Sequence, residues 1–542
     1  MTASILIACV APSTHGEMRI NGVPLMQIGQ EAANQSWDAF NRRLAEKPYN
    51  PGTFAWGLSY AMRAYVRLYQ FTGNRMWLDR AINWTEYLIN FSDVNGDGEP
   101  AWGNYNETWG TSRYDYVEFT VHDGMICVPI VELAQAILSD PELRGEPEMY
   151  ARAQRYIGLV KAIVDRHHRY WSDVDEESGY YWNDPTNPDL VIVNRFAALG
   201  NAEILLSDLL QDPSYLDKPR RMANLIKKNL KYDPRDDCYL WTYAIGGSGI
   251  EDTSHGCIDL EFMFLCYQHG LVFNHTDMER LANTYEKRMW QGIEMFRTGV
   301  GISTRIDGTV DPDNDYTRVS AAWPLLSLIR PRILQEHRAA LETYDRSKGL
   351  PRDRVMAWMM ARMMELEAIL LDQGIDVESI RPFSAEMVLP EIDALSDLLE
   401  GAEEVGANVT EYRELVQALY ANCQEMVESN VSHLLYLVWS AQENLTRIRA
   451  EAYISQAEEV IAQARSLGID TSREELFLGR AKLSLSQGFY ESAENMCKQV
   501  LRLQEQLAEK SATASLALAA LLLFTAAEVR RSRSSELGAR NI

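Results

Sequence analysis

The stretch TFAWGLSYAMRAYVRLYQFTGNRMWLDR, residues 53–80, decides how the rest of the chain is read. Apolar and aromatic residues recur at helical spacing through Trp56, Tyr60, Tyr65 and Tyr69. Gly73 then supplies the left-handed residue that ends a helix, and Trp77-Leu-Asp-Arg opens the next periodic run. The unit is therefore helix, tight turn, helix.

The same grammar continues outward. Segments of 12–20 residues with helical periodicity alternate with loops rich in Gly, Pro, Asp and Asn from about Ser36 to Ala340. The expected helices are Trp37–Glu46, Thr53–Phe71, Met76–Phe91, Val121–Leu138, Glu148–Arg166, Ala197–Leu210, Tyr215–Leu230, Ile250–His269, Asp277–Arg297, Val319–Ile329 and Ile333–Tyr344. Long alternating strand patterns are missing, so the fold class is all-α. Five or six such hairpins can close into a ring, with inner helices apolar nearly all round and the chemistry in loops at one rim.

After about Asp345 tryptophan nearly vanishes and Leu, Ala and Glu dominate. Glu400–Tyr420 and Ala462–Leu483 share a pattern, and Ser484-Leu-Ser-Gln-Gly-Phe-Tyr-Glu-Ser-Ala resembles the turn of tetratricopeptide-like hairpins without a sustained 34-residue period. The expected organisation is an N-terminal segment or remnant export signal over 1–30 and a catalytic ring over 31–345. A helical spacer follows over 346–510, then a membrane anchor with a basic tail over 511–542.

The termini supply the reason for the outer two assignments. Thr2 to Val10 is apolar but lacks the basic start and length of a full signal peptide, and Leu6-Ile7-Ala8-Cys9 resembles a bacterial lipobox. Ala512 to Ala527 carries no charge and precedes Arg530, Arg531 and Arg533 in the order of a cytoplasmic stop, although sixteen residues fall short of the ~20 that span a bilayer. A last buried bundle helix is the other reading. Sequons at Asn34, Asn83, Asn90, Asn106, Asn274, Asn408, Asn430 and Asn444 favour a glycosylated, extracellular or cell-surface protein, which the C-terminal run would make membrane-anchored.

Composition narrows the function. Fifty-two Lys and Arg against 77 Asp and Glu leave a net charge of −25, which repels nucleic acid. Cys9, Cys127, Cys238, Cys257, Cys266, Cys423 and Cys497 form no C-x-x-C pair, so neither a zinc knuckle nor a disulfide framework is expected. No P-loop, dinucleotide fingerprint or H-E-x-x-H motif occurs. The 13 Trp and 26 Tyr crowd the first 330 residues, where they serve either a large core or the flat faces on which sugars stack. The candidates for stacking and substrate binding are Trp56, Tyr60, Trp102, Tyr116, Trp182 and Trp241, with Glu251 and Asp252.

Three clusters could carry chemistry. In Trp241-Thr-Tyr243-Ala-Ile-Gly-Gly-Ser-Gly-Ile-Glu251-Asp252-Thr-Ser254-His255, glycines bend the approach and His255 opens a helix beside two acids that can fix its tautomer. The bland reading is a buried structural histidine. Tyr114 to Gly124 holds His122 and Asp123, which either face a cleft or cap a helix. Asn194-Arg195 follows Tyr180-Tyr181-Trp182, and Asn194 is equally an ordinary N-cap.

Residues 35–340 resemble glycan-active (α/α)-toroid enzymes, the six-hairpin architecture of polysaccharide lyases, uronate C5-epimerases and inverting glycoside hydrolases. Tyr60–Trp84, with the following Asp93-Val-Asn-Gly-Asp-Gly loop, and Glu251-Asp-Thr-Ser-His-Gly carry the resemblance. For the lyase branch it implies an acidic polysaccharide as partner, with Asn194 and Arg195 neutralising the substrate carboxylate. His255 and Tyr243 would be base and acid in an unassigned order, and His122 a reserve. Such neutralisation makes the proton beside a carboxylate removable, and in so acidic a chain it needs a local patch such as Arg113, Arg195 and His255. The rival is hydrolysis, with a carboxylate pair drawn from Asp115, Glu118, Asp123, Glu251, Asp252 and Asp259. A third reading is a non-catalytic glycan- or protein-binding surface protein. No metal is expected at the catalytic cluster and no other cofactor is implied. Asp93-Val-Asn95-Gly-Asp97-Gly98 matches half a calcium loop, but Asn104 stands where Glu is needed, so a solvated turn competes with calcium.

Overall fold

The computed structural model describes residues 18–104, 116–183, 189–311, 316–380, 382–383, 385–424 and 431–503. The lipobox, Arg113, Asp115 and the apolar C-terminal segment lie outside the described residues. Two compact units divide at Pro382 and Phe383.

The first unit is a double ring of helices. Its inner staves are α2 (Ser59–Thr72), α4 (Thr120–Ser139), α6 (Val193–Leu210), α8 (Thr253–Gln268), a 3-10 segment (Trp323–Leu328) and α11 (Arg354–Asp372). Each stave packs on the next, and α11 returns to α2, so the ring closes. The outer helices are α1 (Leu25–Glu46), α3 (Arg75–Ile89), α5 (Pro147–His167), α7 (Asp217–Asn229), α9 (His275–Thr284) and α10 (Arg332–Lys348). Each of them contacts two consecutive staves. This is an (α/α) toroid of six hairpins, with one inner helix reduced to a 3-10 turn.

The sequence explains which helix goes where. In α4 and α8 apolar residues run round most of the surface, and nearly every residue of α4 and most of α8 are buried, as an inner stave between two neighbours requires. In α7, by contrast, Lys and Arg face outward and only Pro219, Met222, Ala223, Leu225 and Ile226 are buried. Among the described residues, α4 is the one helix long and apolar enough to cross a membrane, and it is 89% buried inside the ring. Three short antiparallel hairpins, such as Trp171–Asp173 with Gly179–Tyr181, belong to the connections.

Two expectations change. The ring does not end near residue 345, because α10 runs to Lys348 and α11 supplies the stave that closes the circle. The composition shift that suggested a boundary marks a Met-rich inner helix instead. At the other end, α1 starts at Leu25, inside the segment assigned to an N-terminal remnant.

The second unit contains α12 (Ala385–Glu404), α13 (Thr410–Gln424), α14 (Val431–Ser466) and α15 (Ser472–Ser486). The shared pattern of residues 400–420 and 462–483 falls on two like turns, in which Gly406 and Gly468 adopt positive φ. In each, the amide one residue on closes back onto the preceding helix, Ala407 N–H to Ala402 and Ile469 N–H to Ala464. Small residues Ala450, Ala457, Ala481 and Ala493 let its helices approach.

Candidate active site

A loop from Trp241 to Asp252 leads into stave α8 and builds the lip of the ring. Gly246 turns it with φ of 72°. Tyr243 N–H donates to the Gly249 carbonyl and Glu251 N–H to the Trp241 carbonyl, which fixes both arms. Val193 N–H donates to the Tyr243 carbonyl, so the start of α6 is tied beside the same loop.

Asp252 is the N-cap of α8. Its Oδ1 accepts from the backbone N–H of Ser254 and of His255, each at 2.9 Å, and from Ser254 Oγ at 2.7 Å. Its Oδ2 lies 2.5 Å from His255 Nδ1, which leaves Nε2 for other work. Burial would raise the Asp252 carboxyl, but the hydrogen bond and charge of His255 hold it at about 2. Burial would lower His255, and Asp252 outweighs that and raises it. Hydrogen bond and charge together hold the pair, with the imidazole 37% exposed.

Behind the dyad sits a second acid couple. Glu251 and Asp259 are both fully buried, and Asp259 accepts from Trp241 Nε1 at 2.8 Å. Burial, and then the charge of Asp259, pushes Glu251 far above the carboxylate range, so it keeps its proton at neutral pH. Glu251, Asp252 and His255 bring donor atoms within 4.8 Å of one another. A metal ion there would have to displace the Glu251 proton.

The Tyr243 ring lies 5.2 Å from that of His255, and Arg195 Nη2 reaches the Tyr243 hydroxyl at 3.5 Å. Arg195, Tyr243, His255 and Asp252 therefore meet at one mouth. A cavity of about 200 Å³ lies beneath His255, and Trp56, Tyr60, Trp358, Asn201 and Arg354 share its wall. Tyr60 stacks on Trp358 at 5.1 Å, and Arg354 Nε donates to the Trp56 carbonyl at 3.2 Å.

Other sequence candidates lie elsewhere. His122 is 1% exposed, edge-on to Trp56, and burial takes it down to about 4, so it packs as a neutral ring. Asn194 is not an N-cap: it sits in the first turn of α6 and is enclosed. Trp102 and Trp241 are core residues whose indole N–H groups donate to Leu88 and Asp259. Tyr116 closes over Gly103, and Trp182 donates to Ser172; neither lines the cavity. Glu118 is held by Arg166, and Asp123 by His167 at 2.6 Å, so neither faces Glu251 or Asp252 across a cleft. In the half calcium loop, Asp97 is engaged by Arg166 at 2.9 Å, which lowers its carboxyl.

Residues that the sequence did not point to include Arg354 and Trp358, on the stave assigned to the spacer, and Asn201. The available signal was α11 itself, a run buried on nearly every side after the N-cap Asp353.

No family model matches the chain, and no curated protein matches it. Among solved structures, the GH76A alpha-1,6-mannanase from Salegentibacter sp. HEL1_6 superposes with a TM-score of 0.40 at 13% identity, over 64% of this chain and 99% of that one. Inactive double-aspartate variants of that mannanase, in complex with alpha-1,6-mannotriose and with alpha-1,6-mannotetrose, each give a TM-score of 0.41 at 12% identity. Each covers 64% of this chain, and 99% and 100% of theirs respectively.

Proposed function

We propose that the chain is a glycan-active enzyme that cleaves a glycosidic linkage by acid–base catalysis at the His255–Asp252 dyad, with hydrolysis as the reaction. The observation that carries this is a half-exposed imidazole, locked by a 2.5 Å bond to an ionised carboxylate, at the lip of an aromatic-walled cavity. Protonated His255 gives its proton from Nε2 to the leaving oxygen as the glycosidic bond breaks, Asp252 keeps the ring aimed, and a water molecule adds to the anomeric carbon and returns a proton to the imidazole.

Hydrolysis asks of the site an acid at the leaving oxygen, which the His255–Asp252 pair supplies, and it needs no carboxylate on the substrate. A second reading, elimination at a uronate, draws its support from Tyr243 and Arg195, which stand beside His255 as a phenol and a guanidinium would in that chemistry.

The test uses a panel of neutral and uronate polysaccharides, with reducing ends and absorbance near 232 nm followed together. Reducing ends without new absorbance are expected; both signals together would establish elimination, and neither would remove the enzymatic reading. His255→Ala should lower turnover ~10²–10⁴-fold with folding intact.

A further inference from the structure

We infer that the cavity beneath His255 is a blind subsite for the terminal sugar of a glycan chain, so that the enzyme works from chain ends. This deepens the reading above and rests on it. Two buried groups on the cavity wall lack partners: the indole N–H of Trp358, 4% exposed, and the amide oxygen of Asn201, 3% exposed. Buried polar atoms are nearly always paired. One orphaned donor and one orphaned acceptor on residues of one cavity wall, which Trp56 and Tyr60 share, are the complement of a hydroxylated ring with apolar faces, and Asn201 reaches a second cavity as well. The cavity volume of about 200 Å³ is below the roughly 300 Å³ at which drug-sized pockets begin. A guest of one sugar ring suits that size.

The floor is closed by ions. Arg63, Glu132, Arg67, Glu365, Arg362 and Glu261 form a cycle in which each residue touches the next at 2.6–3.1 Å, and all six are buried. Arg63 and Glu261 line the upper cavity, and all six line a second cavity of about 260 Å³ on the other side. A polymer cannot thread this hexagon. It enters from the His255 side, and the residue that reaches Trp358 and Asn201 is the last one of its chain.

The experiment titrates the full chain with D-glucose, D-mannose, D-galactose and D-glucuronate, reading tryptophan fluorescence. At least one is expected to bind saturably. Trp358→Phe removes the N–H together with the five-membered ring that carries it, and should weaken binding about tenfold, as should Asn201→Ala. Trp182→Phe, outside the cavity, should leave it unchanged. In parallel, the earliest products from any polymer that is cleaved should be monosaccharides. Absence of saturable binding by all four sugars, binding indifferent to a folded Trp358→Phe, or internal cuts giving long fragments first would each overturn the subsite. Internal cutting leaves the glycan-cleaving reading standing; saturable binding without cleavage of any polymer removes that reading and leaves a sugar site.

Discussion

Asp252 does two jobs with two oxygens, capping α8 with one and holding His255 with the other. Asp252→Asn keeps the oxygen that caps and loses the charge that holds the imidazole. It should melt near the wild type while losing most turnover, whereas Asp252→Ala should also lose about 1 kcal/mol of stability, read by urea unfolding. The acidities set a pH dependence whose sign can be worked out. His255 is raised above its ordinary 6.5, so its share of stability is complete below that value and fades as pH climbs through the folded one. Asp252 is depressed from 3.8 to about 2, so its share is complete above 3.8 and is lost as pH falls through about 2. Glu251 runs the other way from an ordinary acid: the folded chain keeps a proton that the unfolded chain releases above 4.5, so rising pH erodes stability. Glu251→Gln should therefore out-melt the wild type by a margin that widens from pH 6 to 9.

Among the elements, the tightest crossing is that of α4 with α6. A Cβ on Gly124 would stand 2.4 Å from the backbone of Ala198 and Leu199, which cannot yield as a side chain would. Gly124→Ala should cost about 1–3 kcal/mol in urea unfolding, while Gly158→Ala on the outer α5, with nothing nearby, should be neutral or gain up to about 1 kcal/mol. Periodicity made these helices legible: α4 was expected at Val121–Leu138 and runs Thr120–Ser139. It misled where tertiary contacts decide. Asn194 reads equally as a cap, but Ile192 holds that place, and with Val193 paired to Tyr243 α6 starts two residues earlier. Residues 319–329 read as helical, but Pro324 in the middle of that run has no N–H for a helical bond, and the segment settles into a 3-10 turn over Trp323–Leu328. The His255–Asp252 dyad was readable because it is local, three residues within one cap. Trp358 was not, because only closure of the ring brings it beside Tyr60, some three hundred positions earlier.

For the whole molecule, the Arg–Glu cycle joins staves without a net charge, three guanidinium groups against three carboxylates. Breaking one member leaves buried charge uncompensated, so Glu261→Gln should cost about 3–5 kcal/mol, measured by denaturant unfolding. The cycle is unevenly anchored. α2 and α11 give two members each, α4 and α8 one each, and α6 and the 3-10 segment none. Within the cycle, the helix that displays His255 is thus moored by the single carboxylate of Glu261. Amide exchange in Glu261→Gln should quicken across residues 253–268 and in Glu132→Gln across residues 120–139. One side chain's charge thereby ties the mouth of the ring to its middle.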